Sequence, residues 1–172
     1  RAFTGRPKIA KIEGLYHGSY DFAEVSLRNK PGDRNGSAPI STAYSYGTPD
    51  SVLTEVVALP FNEIEATESL INLHGESLAC IMIDLMPQTL SMISPSEDYL
   101  KALFRLTRKH GILLAFDEVI SFRLGYSGGQ GMFGIDPDIT SIGKIIGGGF
   151  PVGAVAGRKD IMSVFEPQSG QS

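Results

Sequence analysis

The sequence predicts an α/β fold, a mainly parallel sheet with flanking helices, and two observations carry that prediction. Short apolar runs alternate along the chain with amphipathic helical patterns, which is what βαβ units produce. Segments that start as such runs also end in polar or ionisable groups, at Tyr16-His17, Asp117 and Lys144. In an open parallel sheet the carboxyl edge is where ligands bind.

The elements follow in order. Arg1–Thr4 before Gly5 reads as the last turn of a helix with its terminating glycine. Ile9–Glu13 is the first strand. Ser26–Pro49, rich in Pro, Gly, Asn and Ser, is a long irregular excursion, and excursions of that size serve a function or an interface. Glu55–Leu59 is a strand, and Asn62 is placed to cap a helix from Glu63 to Leu73 that closes at Gly75. Leu78–Asp84 is a buried strand with Cys80 in the core. In the next helix Ser94 and Glu97 form a capping box around Pro95. Leu100, Leu103, Phe104 and Leu106 line one face of it, Lys101, Arg105, Arg108 and Lys109 the other, and Gly111 ends it. Ile112–Phe116 is an apolar strand that terminates at Asp117-Glu118. Asp138–Ile142 is a short strand leading to Gly143-Lys144. Ala154–Ala156 is the last strand, a helix follows from Lys159 to Phe165, and Pro167–Ser172 is a loop.

With 172 residues, 42% of them hydrophobic, the chain can bury one sizeable core and is not a disordered tail. Fifteen Lys and Arg against 19 Asp and Glu give a net charge of −4, which lacks the basic footprint of nucleic-acid or anionic-membrane binding. The apolar runs Leu78–Ile83 and Ile112–Phe116 fall far short of the ~20 residues of a spanning helix. The single cysteine excludes an intramolecular disulfide framework and points to a reducing, cytoplasmic compartment. His17, His74 and His110 are scattered without metal-ligand spacing, and the latter two sit at helix carboxyl ends, where they complement the dipole.

Gly129-Gln130-Gly131-Met132-Phe133-Gly134 matches the dinucleotide fingerprint G-x-G-x-x-G, and it is the only support for a nucleotide-binding α/β module. The context is wrong, because Arg123–Ser127 intervenes before it and Pro137 would break a following helix. Lys144 carries a stronger signal. An amine at a strand end, followed by Gly147-Gly148-Gly149, suits a lysine enclosed by a planar group, and wrapping by Ile142, Ile145, Ile146 and Phe150 would lower its pKa toward a nucleophilic amine. Asp117, at the mouth of a buried strand, needs a partner. That partner is a cationic ring nitrogen on the functional reading, or a cap or a salt bridge to Arg123 or Arg158 on the structural one. Tyr16 could stack on a planar ligand or simply end its strand.

Phe116-Asp117-Glu118-Val119, Phe133–Thr140 and Gly143–Gly149, in that order, resemble the class III aminotransferases. The glutamate-1-semialdehyde aminomutase-like branch is the most similar, with Arg1–Arg6 and Tyr16-His17-Gly18 also matching. The resemblance spans nearly the whole chain. It implies a fold-type I large domain, incomplete here, with residues 1–172 its central part. The phosphate-gripping loop and the small C-terminal domain would lie outside it. It implies pyridoxal 5′-phosphate as cofactor and Lys144 as its Schiff-base former and proton shuttle. Asp117 would be the partner of the ring nitrogen, Val119 and Tyr16 would lie on the two ring faces, and His17 would stand behind them.

It further implies small-molecule substrates, an amino donor and a keto acid or aldehyde acceptor, and a homodimer. The reaction would be transamination between two substrates or, in the alternative, amino transfer within one substrate as in glutamate-1-semialdehyde 2,1-aminomutase. The Ser26–Pro49 excursion leans toward transaminase. A catalytically silent homologue is disfavoured by the joint retention of Lys144 and Asp117. Two departures stand out. Asp84-Leu85-Met86-Pro87 replaces a common Glu-Pro, which leaves the substrate open, and Ser121-Phe122-Arg123 is shorter by a glycine.

Overall fold

The computed structural model describes residues 1–28, 33–36 and 38–166. Its strands and helices, in chain order, are β1 (Lys8–Ile12), α1 (Asp21–Glu24), β2 (Arg34–Asn35), β3 (Ala38–Pro39), α2 (Asp50–Glu55), β4 (Val56–Leu59), α3 (Ile64–His74), β5 (Leu78–Asp84), α4 (Glu97–His110), β6 (Leu113–Asp117), α5 (Gly128–Phe133), β7 (Ile139–Ile142), β8 (Ala154–Gly157) and α6 (Lys159–Met162). The main sheet runs β4-β1-β5-β6-β7-β8. All its pairings are parallel except the last, between β7 and β8. Part of the Ser26–Pro49 excursion and the Pro167–Ser172 loop lie outside the described residues.

Alternation along the strands divides the apolar side chains between two faces of the sheet. Ala10, Ile12, Val57, Leu59, Ile81, Ile83, Leu114 and Phe116 pack with Ile71 of α3 and with Tyr99, Leu100, Leu103 and Leu106 of α4. This is the larger core, and each large apolar side chain buried in it contributes ~1.5–3 kcal/mol. On the other face Ile9, Val56, Cys80 and Met82 pack with Phe22, Val25, Val52 and Leu53. Near the amino end of the sheet, Arg6 Nη1 sits within 3.3 Å of the carbonyl oxygens of Gly75, Leu78, His110 and Gly111, which ties together the ends of α3 and α4.

The caps differ from the expected ones. Ser96, not Ser94, caps α4, its Oγ accepting from Tyr99 N at 3.2 Å. Asn62 Oδ1 holds the Ser96 N–H at 3.0 Å and keeps that residue extended (ψ 151°), so the helix begins two residues past Pro95. Asn62 therefore serves the following helix. Its own backbone is left-handed (φ 60°), and α3 starts from Glu63 without a side-chain cap. Gly111 ends α4 in the left-handed region as expected (φ 62°). The helix α2 was not expected. Pro49 and Asp50 start it, and Val52 and Leu53 turn into the smaller core. Glu55 accordingly ends that helix instead of opening β4.

Candidate active site

The carboxyl ends of β1, β5, β6 and β7 surround a cleft of about 640 Å³, lined by Tyr16, His17, Asp84, Asp117, Val119 and Lys144 among others. After β1 the chain turns at Gly14 (φ 76°), which a side chain would strain, and Leu90 packs close by. This turn brings Tyr16 to the cleft, 46% exposed, with its hydroxyl 3.0 Å from Ser19 Oγ. His17 passes behind it, its side chain only 1% exposed.

Asp117 is the last residue of β6. Its Oδ2 lies 2.9 Å from His17 Nδ1, and its Oδ1 accepts from Val119 N at 3.1 Å and from Ser141 Oγ at 3.2 Å. Burial pushes this carboxyl up, but the hydrogen bonds and the His17 charge outweigh burial and hold it below the usual carboxylate range. Among the described residues no ion pair joins Asp117 to Arg123 or Arg158, and Arg158 bonds Asp138 and Asp160 instead. His17 is driven down, first by its burial, against the raising effect of Asp117.

Asp84 ends β5 in register with Asp117. Burial pushes it up to about 6, with Asp117 adding to the rise and the Met86 N–H opposing it. Lys144 follows β7 through an extended Gly143 and is itself left-handed (φ 47°) at the start of a 3-10 turn, Lys144–Gly147. The expected apolar enclosure is not formed by the described residues. Lys144 is exposed, and so are Ile145 and Phe150, the latter at 77%. The tight turn and the left-handed Gly148 and Gly149 throw these side chains outward.

Tyr16, Asp117, Val119 and Lys144, the predicted site residues, all line this one cleft. Ser141 escaped sequence reasoning because only the β6–β7 register sets it beside Asp117. Lys11 also escaped it, although a lysine amid Ile9, Ala10 and Ile12 was a visible anomaly.

The Gly129–Gly134 match has an internal explanation. The fully buried Glu118 carboxylate accepts from Gly129 N, from Gln130 N at 3.1 Å and from Ser121 Oγ at 3.1 Å. A protein carboxylate thus already takes the first N–H groups of α5.

The profile of the class-III aminotransferases matches residues 1–172. Among curated proteins, the glutamate-1-semialdehyde 2,1-aminomutase of Caldivirga maquilingensis is 43% identical over 169 residues, 98% of this chain and 38% of that protein. Among solved structures, an omega-transaminase from Sphaerobacter thermophilus is 52% identical with a TM-score of 0.94, over 97% of this chain and 38% of that one. A transaminase with PLP bound is 42% identical with a TM-score of 0.87, over 99% of this chain and 38% of that one. The chain thus spans well under half the length of the relatives it matches. The family match over its whole length agrees with the strand-end geometry, and the chain belongs to the class III aminotransferase family.

Proposed function

We propose that this chain supplies the cofactor-binding core of a pyridoxal-phosphate-dependent aminotransferase that moves an amino group from a small-molecule amino donor to a keto acid or aldehyde. The observation that carries the reading is Asp117, a carboxylate held anionic by three donors on the wall of the cleft that Lys144 also lines. On this reading residues 1–172 are the central part of the large domain, and the enzyme works as a cytoplasmic homodimer.

The donor set fits the cofactor. An anion suits a protonated ring nitrogen, a primary amine suits the aldehyde, and the Tyr16 ring and Val119 methyls suit the faces of a planar ring. When bound, the cofactor supplies an electron sink for the substrate carbon. Asp117 would hold the proton on the ring nitrogen, with His17 Nδ1 and Ser141 Oγ fixing its rotamer. Lys144 Nζ would bind the cofactor covalently and carry the proton at the reacting carbon. Val119 and Tyr16 would orient the ring and keep water from it.

Amino transfer within one substrate is the second reading, favoured by the aminomutase of Caldivirga maquilingensis. The test uses the complete reading frame containing this segment. Pyridoxal phosphate is added, the adduct is reduced with borohydride, and peptides are mapped by mass spectrometry. Label on Lys144 is expected, after which a donor and acceptor screen separates the two readings. A full-length chain labelled elsewhere, or not at all, overturns both.

A further inference from the structure

Among the described non-glycine residues with a left-handed backbone, only Ser26 is buried. Its φ is 53° and it is 1% exposed. A side chain is strained in that conformation, and the strain persists only where the surroundings fix it. Here they do. The Ser26 N–H donates to Thr42 O at 2.8 Å, and its carbonyl accepts from Gly14 N at 2.8 Å. Its Oγ donates to Ile40 O at 3.1 Å and accepts from Thr42 N at 3.1 Å. A glycine would take the same backbone without strain, but neither glycine nor alanine can supply that hydroxyl.

These contacts close a loop that carries part of the site. The Gly14–Ser26 bond joins the two ends of residues 14–26, a compact loop of the kind that functional segments often form. A second bond lies beside it, because Lys11, fully buried in β1, donates from Nζ to Val25 O at 2.7 Å. Within the loop Tyr16 reaches the cleft, and His17 Nδ1 stands 2.9 Å from Asp117 Oδ2. Residues 40–42, to which Ser26 ties the loop, are themselves anchored to the main sheet. Ser41 Oγ donates to Val56 O, at the start of β4, at 2.6 Å.

We propose that Ser26 is a positioning residue: its hydroxyl and its left-handed backbone lock the loop 14–26 onto residues 40–42, and so set where Tyr16 and His17 stand in the cleft. The proposal rests on the function given above for Tyr16 and Asp117. It adds what holds the loop that supplies one ring face and the partner of that carboxylate.

The test is hydrogen exchange in the full-length, cofactor-free protein. An ionised Asp117 only accepts, so His17 Nδ1 carries the proton of their contact. NMR follows that proton, assigned by its loss in His17→Gln. In the wild type it is expected to share one opening equilibrium with the amides of Gly14 and Thr42. Ser26→Ala removes both hydroxyl bonds and should speed exchange at His17 and Gly14 at least about tenfold. Ser26→Gly also relieves the strain, so it should melt no lower than Ser26→Ala, yet its His17 proton should exchange as fast. A role in overall stability alone would make exchange follow the melting temperature instead. Exchange that does so across the set overturns the proposal, as does a His17 proton unchanged in both variants. The wild-type measurement stays decisive if a variant fails to fold, because a Thr42 amide that opens while His17 remains protected also overturns it. Because no cofactor is present, an unlabelled Lys144 would sink the enzymatic reading while leaving this result standing.

Discussion

Asp84 and Asp117 are register partners at the ends of β5 and β6, and their surroundings drive their acidities in opposite directions. Both are buried. Asp117 has donors on both oxygens, from His17, Val119 and Ser141, whereas Asp84 accepts from Met86 N at 2.7 Å and lies beside the Asp117 charge. The two carboxyls of one cleft therefore differ in charge over the mildly acidic range.

Asp117→Asn in the full-length protein removes the anion while keeping its shape. A hydrogen bond to a charged group is worth ~1.5–3 kcal/mol, so affinity for pyridoxal phosphate is expected to fall at least about tenfold. Absorbance titration of the cofactor-free protein measures it, and unchanged affinity would remove Asp117 from the site.

Asp84→Asn isolates the other carboxyl. Its folded pKa is raised, so its contribution to stability is fully present below the ordinary aspartate value and is lost as pH rises through about 6. Wild-type stability should therefore decline between about pH 4 and pH 6 by up to ~3 kcal/mol from this group. The Asn variant should lack that decline and be the more stable protein at neutral pH. Urea unfolding at a series of pH values reads it directly.

Glu118→Ala leaves the Gly129 and Gln130 N–H groups without their carboxylate in a fully buried place, an expected loss of ~3 kcal/mol. Gly129→Ala should destabilise as well, because a Cβ there would stand 3.0 Å from Glu118 Oε2 and 3.1 Å from Leu85 Cδ1. Thermal unfolding of both variants is the check. A neutral Gly129→Ala would mean that the glycine is not required by packing.

Asp138→Ala breaks a hub. This 1% exposed carboxylate accepts from Arg108 Nη1, from Arg158 Nη1 at 2.7 Å and from Leu114 N at 2.8 Å. Removing a buried partner of this kind costs about 3 kcal/mol. Despite the raising effect of burial, its arginines hold its pKa low, so the stabilisation is present above the ordinary aspartate value and is lost as pH falls through the depressed one. The gap between wild type and variant in chemical denaturation should therefore close on acidification.

The position of Asp117 at a strand end was legible because Ile112–Phe116 before it is an apolar run that marks a buried strand, and that of Lys144 because it follows the short strand at Asp138–Ile142. Gly111 was legible too, because a helix end that needs a left-handed residue selects glycine. The caps were not, since whether Ser94 or Ser96 starts a helix depends on Asn62, more than thirty residues earlier, reaching the right N–H. The apolar residues around Lys144 were read as an enclosure because composition records hydrophobicity and not direction. The contacts of Ser141 and His17 with Asp117 depend on strand register and on residues far apart in the chain, which no local pattern encodes.

The strand order also bears on how a ribosome must deliver this molecule. β1 precedes β4 and β5 in the chain yet lies between them in the sheet. Its two edges thus wait for residues 56–59 and then 78–84 before either is fully covered. His17 waits longer still, because its partner Asp117 lies 100 residues downstream. Nascent chains that have β1 but not β5 carry an open, apolar strand edge with a buried-type lysine in it, a species that favours misassembly. The same contact that shapes the site therefore forms only once β1, β4, β5 and β6 of the main sheet have all emerged, which makes it a marker of completed translation through β6.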